Sequence, residues 1–221
     1  MQGQLGFLEQ DLGAALQGDL AQCNHADSKW RIKEADAVGA SLIMSDDSTP
    51  MADDLRTRLA ADPLWDYALA FYARDGVETA CLQLQDEAGM DVCELLWHCW
   101  LYRHGLRLDE EPAELASIRQ WQKEVTVVLR TLRRHLKSDA KERAGVAEVR
   151  RQLQRAELAA ERETLERLQA LAERLQTLSP LPEPRPSLKT SLSFRWQLQK
   201  KAQLLALQTL ECQLDPLWGP R

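Results

Sequence analysis

Between Asp62 and Gly105 the chain reads DPLWDYALAFYARDGVETACLQLQDEAGMDVCELLWHCWLYRHG, and this stretch limits the fold more than any other. It holds three of the seven tryptophans, three of the five cysteines and all three tyrosines. Three helices fit into it. Asp62 suits an N-cap and Pro63 a first helical position, where a missing amide proton costs nothing. That helix is apolar on nearly every side (Leu64, Trp65, Ala68, Leu69, Phe71, Tyr72) and stops at Asp75-Gly76, where glycine accepts the left-handed conformation of a C-terminal cap. The second places Val77, Ala80, Cys81 and Leu84 on one face until Gly89. Asp91 with Glu94 then forms a capping-box pattern. The third helix has two apolar faces, Val92/Leu95/Leu96/Cys99 and Cys93/Trp97/Trp100/Leu101, and ends after Arg103 and His104 at Gly105. A helix apolar on both sides belongs between neighbours, so it is the expected centre of the core.

Strand-type alternation is scarce elsewhere, and leucine, alanine, glutamine, glutamate and arginine dominate. The expected class is all-α: a compact aromatic-rich bundle bearing a long antiparallel helical hairpin. Leu115, Ile118, Gln122, Val125, Leu129, Leu132 and Leu136 recur at spacings of three and four, a heptad seam with one polar member. Ser138-Asp139 interrupts it, and a second long helix follows to about Leu178. The expected division is therefore 51–178 as the helical domain, with the bundle at 62–105 and the hairpin at 111–178. A polar bridge, Leu106 to Pro112, joins the two. Ser179 to Pro186 carries four prolines and cannot be helical, so 179–187 reads as a stiff extended linker. Residues 188–221 suggest one last amphipathic helix and a tail. Residues 1–50 are mixed and polar with interrupting glycines, and read as a poorly ordered or mis-annotated extension, with Met44 or Met51 as alternative natural starts to Met1. Intact-mass measurement of the native protein decides that point.

The Asp62–Gly105 stretch also carries a likeness. W-x-[FY]-A-L-x-x-Y-x-x-x-G-V-x-x-A-C-L-x-L-Q, matched by Trp65, Tyr67, Ala68, Leu69, Tyr72, Gly76, Val77, Ala80, Cys81, Leu82, Leu84 and Gln85, is followed by Val92, Cys93, Leu95, Leu96 and Trp97. This pattern resembles an uncharacterised proteobacterial family of short helical cytoplasmic proteins, described only as a domain of unknown function. The resemblance is strong from about Asp62 to Gly105 and fades towards Arg174. It implies a bacterial cytoplasmic setting and brings no catalytic or ligand residues with it.

The net charge of −6 hides an asymmetry: residues 1–118 sum to −14, 119–174 to +5 and 175–221 to +3. The two signs either meet within the fold or leave the basic half for an anionic partner. Five cysteines without paired spacing, and no basic residue before Lys29, point to free thiols in a reducing cytoplasm. No apolar run approaches the roughly 20 residues of a membrane span.

Four constellations carry chemistry in principle. Cys93, Cys99, His98 and His104 suggest a metal, but six residues separate the cysteines on a helix and turn them apart, so they read as small buried hydrophobes. Glu94 and His98, four apart, could pair as general acid and base with a cysteine nearby; the plainer reading is a polar stripe with Asp91 and Glu94 capping the helix. Arg130, Arg133, Arg134, Lys137, Lys141, Arg143, Arg150 and Arg151 gather near the hairpin turn, where cations either bind a phosphate backbone or form in-helix ion pairs. Trp65, Tyr67, Phe71, Tyr72, Trp97, Trp100 and Tyr102 either fill the core or leave a surplus for docking. The sequence therefore points to a non-enzymatic adaptor with a protein partner. Binding of RNA or a ribonucleoprotein through the basic tip is the alternative, and a small enzyme using Glu94/His98 and a cysteine is the second. No motif names a cofactor, a metal or a small-molecule ligand.

Overall fold

The computed structural model describes residues 50–174 and 178–214. The expectations for residues 1–49, including the Met44 start, and for the tail beyond Leu214 lie outside the described residues. The described residues are all-α apart from one small ladder. In order it forms α1 (Pro50–Ala60), α2 (Leu64–Tyr72), α3 (Val77–Ala88), α4 (Val92–Arg103) and β1 (Leu106–Leu108). Then come α5 (Leu115–Trp121), a π-helical turn (Gln122–Thr126), α6 (Val127–His135), a 3-10 turn (Asp139–Lys141) and α7 (Ala144–Arg174). Finally β2 (Leu178–Pro180), α8 (Leu188–Arg195) and α9 (Lys201–Gln213) complete the described chain.

The core sits on α4. Every residue from Cys93 to Tyr102 is buried, and Trp97 and Trp100 are wholly so. α2 and α3 cover one side of α4, and the long α7 covers another while also packing on α1, α5 and α6. Burying each large side chain stabilises by about 1.5–3 kcal/mol, so this helix anchors the domain. The aromatic set is core: Tyr67, Phe71, Tyr72 and Tyr102 are buried with the two tryptophans. Half-buried Trp65 lies under the Arg162 guanidinium at 5.5 Å. That removes the surplus-aromatic docking patch.

Local signals fare unevenly. Gly76, Gly89 and Gly105 all take positive φ, as helix-ending glycines do. Asp91 caps α4 by accepting from the Glu94 amide at 2.9 Å, but Glu94 does not reach back, so only half of the capping box forms. Asp62 does not cap α2. Its carboxylate faces His104 Nε2 at 3.1 Å and Arg103 Nε at 3.6 Å, and its carbonyl accepts from Trp100 Nε1 at 2.9 Å. The free Leu64 amide donates instead to Gln169 Oε1 of α7 at 2.8 Å.

The polar bridge contains a strand. Leu106–Leu108 pairs antiparallel with Leu178–Pro180, Leu106 opposite Pro180, with Leu106 and Leu108 turned inward and Arg107 outward. After Pro180 the chain is irregular to Ser187, with a bend at Glu183-Pro184 in place of an extended run, and it lies against the domain: Leu181 is buried and the Pro186 carbonyl accepts from Tyr102 Oη at 3.1 Å. The expected single C-terminal helix is two helices. It breaks near Gln197, whose φ of 52° no α-helix accommodates. α9 then packs on α3 as well as on α8.

Candidate functional site

The seam that the sequence draws along Leu115–Leu136 does not survive intact. Leu115, Ile118 and Gln122 are buried as expected. At Gln122–Thr126 the helix widens into a π turn, which takes in one extra residue and rotates everything after it by one position. Thr126 and Arg133 are then buried, and Arg130 is half-buried, as are Val125 and Leu129. Leu132 ends 46 % exposed, beside Val127 at 45 % and Val128 at 55 %. α6 thus turns two arginines towards α7 and leaves Val127, Val128 and Leu132 towards water, with Leu129 and Leu136 half-buried.

The inward arginines meet carboxylates four apart on α7. Arg130 Nε donates to Glu157 Oε1 at 3.0 Å and its Nη2 to Glu161 Oε1 at 2.8 Å; Arg133 Nε donates to Glu157 Oε2. Asp91 stands close enough to feel Arg130, and Gln122 Nε2 reaches Asp91 Oδ1 at 3.4 Å. Three carboxylates (Asp91, Glu157, Glu161) therefore share two guanidiniums. Burial raises the Asp91 carboxyl and pushes Glu161 up to about 8, the neighbouring carboxylates Glu157 and Asp91 adding to the effect on Glu161. Burial thus favours the protonated form of Glu161 near neutral pH. Thr126 Oγ1, fully buried, finds no partner there. A buried ionic network of this kind is commonly no more stabilising than apolar packing in its place, so stability alone does not account for these arginines.

The basic candidates therefore separate. Arg130 and Arg133 are consumed inside the fold and do not belong to a phosphate-binding tip. Arg134, Lys137, Lys141 and Arg143 are exposed around the turn between α6 and α7 and form no ion pair among the described residues. Arg151 pairs with Glu148 one turn back, and Arg150 is half-buried on the same helix.

Glu94 and His98 do not pair. Both Glu94 oxygens are taken by Arg119, Nη2 to Oε1 at 2.7 Å and Nε to Oε2 at 3.0 Å, and Arg119 also holds Glu111. His98 lies between the rings of Trp97 and Trp196, centroids at 5.1 and 5.0 Å. Burial, then Arg195 and Arg119, lower its imidazole to about 3. Burial pushes the Cys81 thiol up to about 12 and holds Cys93 and Cys99 well above the usual thiol range, the opposite of an activated nucleophile. Among the described residues no group of three or more His, Cys, Asp or Glu side chains is arranged to hold a metal ion. A cleft of ≈430 Å³ opens beside Asp91, Glu94, Arg119, Gln122 and Trp196, with Glu94 and Arg119 already satisfied by each other.

Sequence reasoning missed Glu157, Glu161 and Arg119. The signal was present: Arg130/Arg133 at i, i+3 answer Glu157/Glu161 at i, i+4 across an antiparallel hairpin. Among the described residues no helix is long and apolar enough to cross a membrane. No curated protein and no solved structure matches the chain. Residues 63–168, from the start of α2 into the last third of α7, match the family model described as protein of unknown function (DUF2390).

Proposed function

We propose that this is a non-enzymatic cytoplasmic adaptor whose α6 binds an acidic amphipathic segment of another protein. The observation that carries the reading is the stripe of Val127, Val128 and Leu132, each 45 % exposed or more, beside the exposed cations Arg134 and Lys137. An apolar helix face flanked by positive charge complements a helix with an apolar face and acidic borders. Val128→Asp and Leu132→Asp both alter exposed positions, so the fold is expected to hold within about 0.5 kcal/mol. With a photo-crosslinker at position 127, those variants are expected to lose the protein adducts that the parent forms in native extract. Adducts that persist in both variants count against the reading.

RNA is the second reading, favoured by the exposed cluster of Arg134, Lys137, Lys141 and Arg143. Neutralising all four to alanine is expected to leave the crosslinks in place while weakening them at most a few-fold. Steeply salt-dependent RNA retention lost in that variant, with the stripe variants unaffected, assigns the function to the tip instead.

A further inference from the structure

The chain supplies α6 with two candidate inward faces one residue apart, and the structure uses one of them. Thr126, Arg130 and Arg133 lie on the covered side, and the π turn at Gln122–Thr126 brings them there by holding one extra residue. Closing that turn into plain α-helix moves each later residue into the place now held by its successor. Val125 then takes the buried place of Thr126, Leu129 the half-buried place of Arg130 and Leu132 the buried place of Arg133. Thr126, Arg130 and Arg133 move to the places of Val127, Thr131 and Arg134, all of them exposed. Three polar side chains are thus exchanged for three apolar ones. The residue that the turn releases passes into the surface connection between α6 and α7, where a longer loop costs little.

Charge opposes this exchange. Glu157 holds both guanidiniums and Glu161 holds Arg130, so leucines in their places leave two buried carboxylates without a counter-charge. The Thr126 hydroxyl pulls the other way, being buried with no hydrogen-bond partner where it now stands. We propose that α6 is a two-register switch: when Glu157 and Glu161 lose their charge, the π turn closes, Leu129 and Leu132 turn in, and Arg130 and Arg133 turn out to water. A buried guanidinium deprived of its carboxylate is strongly disfavoured, whereas a neutral carboxyl tolerates a leucine beside it far better. Protonation as pH falls therefore favours the second register. Besides the two arginines, the titratable groups facing the pair are Asp91 and Cys93 of α4 and Tyr72 of α2. Asp91 is a third negative charge and helps Glu161 to take up a proton. Resting on the reading of Val127, Val128 and Leu132 as a binding face, the second register is its off state. Leu132 and Val128 then occupy the covered and half-covered places of Arg133 and Leu129, and Val127 alone of the three stays out. A bistable element biased by a local change of charge is a common form of switch.

The test reads the register in the full chain with no partner present, so its failure leaves the binding face standing. Leu132 methyl signals are recorded with a soluble paramagnetic agent, and the Arg133 Nε–H by its exchange with water. In the parent at neutral pH the methyls are expected to be quenched and the Arg133 proton protected. Glu157→Gln combined with Glu161→Gln is expected to cut the quenching at least threefold and to speed the Arg133 exchange at least tenfold, with cooperative melting retained. Deleting Lys123 from that variant removes the extra residue, so Leu132 is then expected to stay exposed. Leu132 methyls as exposed in the double variant as in the parent overturn the proposal, and so does their withdrawal in the Lys123 deletion. Where the double variant does not melt cooperatively, Glu157→Gln alone gives the reading, since it discharges the carboxylate that both arginines share. A single variant that also fails to fold overturns the proposal, because a chain with a second register falls back on it.

Discussion

Glu161 is the residue with the clearest thermodynamic signature. Its folded-state carboxyl titrates near 8 because burial and two neighbouring carboxylates oppose its charge. Below the ordinary glutamate pKa both folded and unfolded states hold the proton, and its contribution is constant. Between there and about pH 8 the unfolded chain loses the proton first, so stability falls as pH rises, by at most about 1.4 kcal/mol per pH unit for one group. Glu161→Gln is expected to flatten that limb, seen as urea midpoints that converge at pH 5 and diverge in the variant's favour at pH 8. A parent protein whose midpoint rises over this interval relative to the variant shows the carboxyl to be ionised throughout. Gln197 offers a second test of a single residue. Its left-handed backbone strains any residue with a Cβ, so Gln197→Gly is expected to stabilise by up to about 1 kcal/mol, raising the thermal midpoint by a few degrees.

At the scale of the element, the π turn decides what α6 presents. A turn that absorbs one extra residue is equivalent to a one-residue insertion, so removing one exposed residue from it is expected to restore plain α-helix without moving the helix beyond. Deleting Lys123 is therefore expected to leave Arg130 and Arg133 against Glu157 and to preserve cooperative melting. Loss of folding in that variant, checked by circular dichroism and calorimetry, counts against the insertion account. The same element marks the limit of what the sequence discloses. The two apolar faces of α4, its Asp91 cap and the glycine stops follow from side-chain spacing alone, and the structure has them. The inward turn of Arg130 and Arg133 does not, because periodicity sees seven well-spaced apolar or amide positions and has no means of weighing them against a carboxylate pair some 30 residues away. Asp62 fails as a cap for a related reason. Its local role lost to long-range partners in His104 and Arg103. His98 reads from spacing as a partner for Glu94 on a polar stripe, but its ring sits between Trp97 and Trp196, and spacing within α4 cannot place the second tryptophan.

For the whole molecule, the part that matches the family is not the part that closes the core. Leu181, Leu188, Leu192, Leu207 and Leu210 lie beyond residue 168 and are all buried. At about 1.5–3 kcal/mol each, they contribute as much as the entire net stability of a typical domain, about 5–15 kcal/mol. A fragment of residues 63–168 is accordingly expected to lack a cooperative thermal transition and to bind hydrophobic dyes, whereas the 50–221 chain melts in one step. A fragment that melts sharply on its own places the core elsewhere.

The embrace of α3 by α9 has a consequence for synthesis. Val77, Ala80, Cys81 and Leu84 are made well before the helix that packs against α3 and is buried through Ala206, Leu207 and Leu210. Until then the nascent chain carries an uncovered greasy flank. Ribosome-bound intermediates halted before Leu207 are therefore expected to be chaperone clients, and emergence of α9 to coincide with their discharge.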